Sequence, residues 1–143
     1  MEKYMQIAIN EAKKAALKGE VPIGAVIVDP KSGKVIAKAH NLCEQGDCTK
    51  HAEMLCIQKA CKKLKTNRLR GLNLYVTLEP CTMCSGAISF ARIENLHIGT
   101  MDEKGGGTSF FNLKTCNHKP KIKTGILQDT CSQILKDFFK SKR

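Results

Sequence analysis

The stretch "LNLYVTLEPCTMCSGAI", Leu72 to Ile88, decides how this chain folds. Its first eight residues carry Leu, Tyr, Val and Thr in the pattern of a half-buried strand, "LNLYVTLE". Pro80 ends that run. From Cys81 to Phe90 the residues are small or apolar and read as a short helix, so Cys81 and Cys84 open a helix directly after a strand.

The neighbouring segments extend this strand-to-helix unit in both directions. Upstream, "HAEMLCIQKACKKLK" (51–65) predicts a helix with Met54, Ile57, Cys61 and Leu64 on one stripe. Downstream, "IENLHIGT" (93–100) predicts another strand, and "DEKGGGTS" (102–109) a flexible loop in which Gly105 to Gly107 are free to take positive φ. Near the N-terminus, Met5, Ala8, Ile9, Ala12 and Ala16 have helical spacing. "VPIGAVIVD" and "KVIAKAH" then read as strands joined by the turn "PKSGK", a hairpin. The polar loop "NLCEQGDCTK" (41–50) leads into the second helix. "KIKTGIL" predicts a fifth strand, and Leu127, Cys131, Ile134, Leu135 and Phe138 mark a C-terminal amphipathic helix. Strands alternate with helices after the hairpin. This predicts an α/β fold: one sheet, largely parallel in its second half, with helices on both faces.

The bulk properties set limits on function. At 143 residues, 42% of them hydrophobic, the chain is expected to form one domain, 1–143, able to bury a core without disulfide or metal staples. "GAVIV" is too short to cross a bilayer, and "MEKYMQIAINEAKKAALKGE" has no apolar h-region or cleavage site. A cytoplasmic location and no membrane partner are therefore expected. In a reducing compartment, eight cysteines favour metal binding or plain buried thiols over disulfides. The formal charge of +11, from 24 Lys+Arg against 13 Asp+Glu, suits a polyanionic partner, nucleic acid before anionic membrane; the plainer alternative is a lysine-rich soluble surface.

The cysteine pair admits four readings. Cys-x-x-Cys at a helix start lowers a thiol pKa and suits dithiol redox chemistry. Cys48, His51, Cys81 and Cys84 would together make a closed Cys3His structural zinc site, although the gap from His51 to Cys81 exceeds that of compact zinc ribbons. His51, Cys81 and Cys84 alone would make a catalytic zinc site with water in the fourth position. Glu53 favours that reading: at the first turn of a helix, residues two apart can both reach a site beyond its end, and a structural site has no need of a spare carboxylate. The last reading, ordinary core thiols, sits poorly with the joint pattern.

"HAE" followed by "PCTMC" matches the His-x-Glu and Pro-Cys-x-x-Cys signature of zinc-dependent nucleobase deaminases. "EVPIGAVIVD", "YVTLEPCTMCSGAI", "ARIENLHIGTMDEKGG" and "GILQDTCSQILKDFF" each resemble segments of the bacterial tRNA-specific adenosine deaminases (TadA type) of the cytidine/deoxycytidylate deaminase superfamily. The last of these lies outside the zinc motif that the wider superfamily shares. The resemblance implies a cytidine-deaminase-like three-layer α-β-α sandwich, with a five-stranded mixed sheet between helices. It also implies one Zn(2+) per subunit, a homodimer, and hydrolysis of adenosine to inosine at wobble position 34 of a tRNA anticodon loop.

Carried onto this sequence, the resemblance makes His51, Cys81 and Cys84 the zinc ligands and Glu53 the proton shuttle. It makes Asn41 a base-contacting residue and puts Ile23, Ala52, Asp102, Lys104, Asn117 and Phe139 at substrate-binding positions. Phe139 falls off the apolar stripe of its helix, whereas Phe110, Phe111 and Phe138 are expected to pack in the core. Lys121, Lys123, Lys136, Lys140, Lys142 and Arg143 are candidates to hold phosphates. Small residues Ser85, Gly86 and Ala87 would permit close helix packing in a dimer. One departure stands out: "DCTKHAE" places Cys48 where these enzymes commonly have proline. The alternatives are a deaminase of a free base or nucleoside, such as guanine or cytidine, and a non-catalytic Cys3His zinc module that binds RNA.

Overall fold

A computed structural model describes residues 1–142. Four helices, α1 (Glu2–Leu17), α2 (Ala52–Leu64), α3 (Thr82–Ala91) and α4 (Gln128–Ser141), flank five strands, β1 (Gly24–Asp29), β2 (Lys34–His40), β3 (Asn73–Leu78), β4 (Asn95–Thr100) and β5 (Lys121–Lys123). The strand order is β2-β1-β3-β4-β5. β1 pairs antiparallel with both β2 and β3, whereas β3, β4 and β5 run parallel. The sheet is therefore mixed, with its parallel half second in the chain, as the alternation of elements predicts.

Two apolar layers hold the helices to the sheet. One joins α2 and α3 to it through Ile27, Cys56, Leu74, Ile88, Leu96 and Ile98; the other lies under α1 and α4 and contains Met5, Ile9, Val26, Tyr75 and Cys131. β1 is covered on both sides, which explains why Ala25 to Val28 form an uninterrupted apolar run with no polar alternation. Its first residue, Gly24, packs directly under α1: a Cβ there would sit 1.9 Å from the Ala8 carbonyl oxygen, so a side chain would push the helix off the sheet.

Two expectations change. The buried face of α2 is Ala52, Glu53, Cys56 and Ala60; of the predicted stripe, Ile57 and Cys61 pack half-buried against the edge of the same core, Met54 is half-buried and Leu64 exposed. Periodicity alone could not choose between two stripes on a helix with apolar residues on both. Of the phenylalanines, Phe111 enters the core, Phe110 and Phe138 are half-buried, and Phe139 is exposed.

The register of the parallel strands positions the functional end. β3 leads into α3 and the loop after β2 leads into α2, so both helices begin at the carboxyl end of β3. In open α/β sheets this edge gathers helix N-termini and the ligands they bind.

Candidate active site

His51 is the N-cap of α2 and Cys81 the N-cap of α3, both with extended backbone, at φ −72°. Each carbonyl accepts the first bond of its helix, from Leu55 N–H and Ser85 N–H respectively, while the side chain stands clear of the first turn. His51 Nδ1 lies 3.5 Å from Cys81 Sγ and 3.5 Å from Cys84 Sγ, and the three donor atoms all fall within 4.8 Å of one another. A tetrahedral ion bonded at about 2.3 Å to sulfur and about 2.0 Å to nitrogen requires N···S separations of about 3.5 Å. The observed spacing meets that requirement.

The protonation chemistry fits a cation as well. Burial lowers the His51 pKa and favours the neutral imidazole that ligates. Burial, with Glu53 and Cys81 close by, pushes the Cys84 thiol up. Burial also raises Glu53 to about 7, against the opposing pull of its own backbone N–H and of Cys84. Among the described residues no positive side chain offsets these acids, and a divalent ion between the two sulfurs would relieve them. Glu53 is 3% exposed and Cys84 fully buried, so the carboxyl stands beside the donor cluster at the bottom of the site.

Asn41 reaches the start of α2, one residue from His51. It is buried, and its Oδ1 accepts the Ala52 N–H at 2.8 Å, which caps the start of α2. One lone pair of that oxygen is therefore already used, and the carboxamide NH2 has no protein partner among the described residues. Ile23 sits beside it, its carbonyl accepting Asn41 N–H at 3.2 Å. Buried Ala52 follows His51 directly, so two hydrogen bonds link Ile23, Asn41 and Ala52 beside that donor.

Asp102 and Lys104 lie on the loop after β4. Asp102 Oδ1 accepts the N–H groups of Lys104 and Gly105, both at 3.0 Å, and Lys104 is exposed. Asn117 and Phe139 are exposed, on the segment before β5 and on α4. Arg143 lies outside the described residues. Cys48 is exposed and stands apart from the three-donor group, so the Cys3His ligand set does not form among the described residues.

Sequence reasoning left Glu79 unread, although it immediately precedes Pro80 and Cys81. Its carboxylate accepts Asp102 N–H through Oε1 at 3.1 Å, and Thr108 N–H and Thr108 Oγ1–H through Oε2. The signal that could have revealed it is the run Gly105–Gly106–Gly107, a loop stripped of side chains where another group must approach its backbone.

The fold and this three-donor cluster beside a buried acid define a protein of the cytidine-deaminase-like class. The family model for MafB19-like deaminases matches residues 1–143. A tRNA-specific adenosine deaminase of Agrobacterium fabrum (strain C58) is 48% identical, over 98% of this chain and 94% of its own length. One of Bacillus subtilis (strain 168) is 49% identical, over 99% and 90%. A solved structure from biochemical and structural studies of A-to-I editing by tRNA:A34 deaminases superposes with a TM-score of 0.90 at 46% identity, covering 94% of this chain and all of that one. A guanine deaminase from Nitrosomonas europaea, at 22% identity, shares the fold with a TM-score of 0.80 over 96% of this chain and 83% of that one. The chain belongs to the MafB19-like deaminase family, among the tRNA-specific adenosine deaminases.

Proposed function

We propose that the chain is a zinc-dependent hydrolase that converts adenosine to inosine at position 34 of a tRNA anticodon. The observation that carries this reading is the buried Glu53 carboxyl beside three donors spaced for a tetrahedral ion. Near-half identity over the whole chain to named tRNA-specific adenosine deaminases supports the choice of substrate.

Zinc held by His51, Cys81 and Cys84 would supply the Lewis acidity that activates water at neutral pH. Glu53 removes a proton from the attacking water and delivers it to the adenine ring nitrogen. It then takes the proton still on the attacking oxygen and passes it to the amino group, so that the C6–N bond breaks, ammonia leaves and the oxygen stays on C6 as a carbonyl. A buried carboxyl that burial pushes up toward neutrality in the metal-free protein, and that a neighbouring cation would draw back down, can serve as base and then as acid. Asn41 offers its NH2 group and one remaining lone pair to the base edge, while its bond to Ala52 N–H fixes its orientation. The nucleotide must leave the anticodon stack to enter, which costs less from a single-stranded loop than from a duplex.

Exposed Lys104, Asn117, Phe139, Lys121, Lys123, Lys136, Lys140 and Lys142 supply charge and stacking surface for the surrounding RNA. Exposed Leu64 of α2, with Met83 at 36% and Phe90 at 70% exposure on α3, fits burial against a second copy in a homodimer. A single domain over 1–143 working in the cytoplasm accords with eight free cysteines and with the lack, among the described residues, of any helix long and apolar enough to cross a membrane.

The test is to incubate the purified, zinc-loaded protein with an A34-containing anticodon stem-loop and, separately, with free nucleosides and guanine. Inosine in the RNA alone is expected. Turnover of free nucleosides or guanine alone overturns the substrate assignment.

A further inference from the structure

We propose that Glu79 is a positioning residue that clamps the loop carrying Asp102 and Lys104 to the metal-bearing start of α3, and so sets the affinity for the RNA around the target base. This rests on the RNA-deaminase reading above.

The clamp grips both ends of the loop. Glu79 Oε1 takes the Asp102 N–H, and Oε2 takes the backbone N–H and the hydroxyl of Thr108. Glu79 is itself fixed: its N–H donates to the Thr100 carbonyl at 2.8 Å, one step beyond the β3–β4 pairing of Leu78 with Thr100. Within the loop, Gly106 N–H donates to the Asp102 carbonyl at 3.1 Å, and Gly107 N–H to the Pro80 carbonyl at 2.8 Å.

Two glycines permit this closeness. A Cβ on Gly106 would lie 2.1 Å from Glu79 Oε1. One on Gly107 would lie 2.1 Å from Thr82 N and 2.4 Å from the Cys81 carbonyl carbon. The loop backbone thus rests on the peptide that joins a metal-donor residue to its helix, with the Glu79 carboxylate between the loop's two ends. Asp102 in turn organises the tip by accepting Lys104 and Gly105 N–H. The chain of contacts runs from Cys81 through Glu79 to Lys104 without a gap.

A carboxylate is the group this geometry requires. Three donors converge on two oxygens, and a glutamine would turn an NH2 toward one end of the loop, leaving donor facing donor. On the RNA-deaminase reading Lys104 holds the surrounding RNA and not the reacting atoms, so loosening the loop removes binding that is equal in ground and transition states. It therefore raises KM and spares kcat.

The experiment compares wild type, Glu79→Gln and Thr108→Val as zinc-loaded proteins. It reads kcat and KM on an A34 anticodon stem-loop, metal content, and amide hydrogen exchange across residues 103–107. Thr108→Val removes only the hydroxyl donor and guards against a Glu79 variant that fails to fold. For Glu79→Gln, KM is expected to rise about tenfold with kcat within about twofold, full metal content and faster exchange in the loop. For Thr108→Val, KM is expected to rise about threefold. Faster exchange with unchanged KM in both variants overturns the proposal, since the clamp would then serve only the fold. Loss of metal or of kcat at constant KM also overturns it, as does an unfolded Glu79→Gln beside a Thr108→Val indistinguishable from wild type. If wild type itself leaves the RNA unedited, the function reading falls and this inference with it; if wild type edits and both variants match it, only this inference falls.

Discussion

Glu11 and Glu53 are the same residue type, both almost inaccessible to solvent although Glu53 lies deeper in the protein, on helices that cover opposite faces of one sheet. Their surroundings drive them in opposite directions. Burial pushes the Glu11 carboxyl up, but hydrogen bonds and charge from Lys14 at 2.8 Å and His40 at 2.9 Å outweigh it and hold Glu11 below the ordinary range. Lys18 Nζ lies 3.1 Å from the other nitrogen of His40 and completes a polar seam between α1 and β2. Glu53 has no cationic side chain beside it among the described residues and rises to about 7. A buried acid with partners anchors a helix; a buried acid without them is held ready to exchange a proton. The α1–β2 edge is thus built for stability, and the α2–α3 pole gives up stability for chemistry.

The sharpest way to break this contrast is Glu53→Ala. On the zinc-loaded protein we expect kcat for RNA deamination to fall about 10²–10⁴-fold with metal content unchanged, as read by single-turnover inosine formation and metal analysis. Thermal stability should hold or rise, because an unpartnered buried acid is gone. Glu11→Gln should do the reverse: a loss of about 1–3 kcal/mol in urea unfolding, with kcat on the stem-loop within about twofold. A Glu11 variant that lost activity at full stability would erase the distinction between the two acids.

Their pH responses should also run in opposite senses. Glu11 has a depressed folded pKa, so its contribution is present above the unfolded value near 4.5 and is lost as pH falls through the folded one. Glu53 has a raised folded pKa, so in the metal-free protein its contribution is complete below about 4.5 and is lost as pH rises through about 7. Urea midpoints across pH 4–8 should therefore lose their alkaline slope in Glu53→Gln and part of their acid slope in Glu11→Gln. The remaining acid slope is expected from His97. It is buried against Tyr75 with neither ring nitrogen hydrogen-bonded and is lowered to about 4, so its contribution is lost as pH falls from about 6.5 through 4. The smallest effect is expected for Cys48→Ser, which should retain zinc, fold and turnover. Metal loss in that variant would restore the four-ligand site.

Local pattern made much of this molecule legible. Val-rich and Ile-rich runs, turn residues and helical spacing mark the four α-helices and the five strands, the last of them only three residues long, but not the short 3-10 turns at Cys43–Gln45 and Thr108–Asn112. The donor types, their spacing and Glu53 could also be read, because His51 and Glu53 share one helix start and Cys81 and Cys84 another. On α2 the buried face centres on Ala52, Cys56 and Ala60, with the predicted Ile57 and Cys61 at its edge, because how far a helix rolls on its sheet depends on a packing partner far away in the chain.

The sequence by itself determined the order of the main elements, the short set of candidate donors (Cys48, His51, Cys81 and Cys84) and the acid Glu53 placed among them. Tertiary structure decided that His51 Nδ1 meets two sulfurs across 30 and 33 residues, that Cys48 stays outside, and that Asn41 spends one lone pair on α2. It also placed His40 beside Glu11 and, among the described residues, nothing cationic beside Glu53, and brought the backbone of a distant loop onto Glu79. The division has one physical cause. Residue type and local spacing travel with the chain, whereas charge state, exclusion of water and the sharing of hydrogen bonds depend on through-space distances that exist only once the sheet has brought remote segments together.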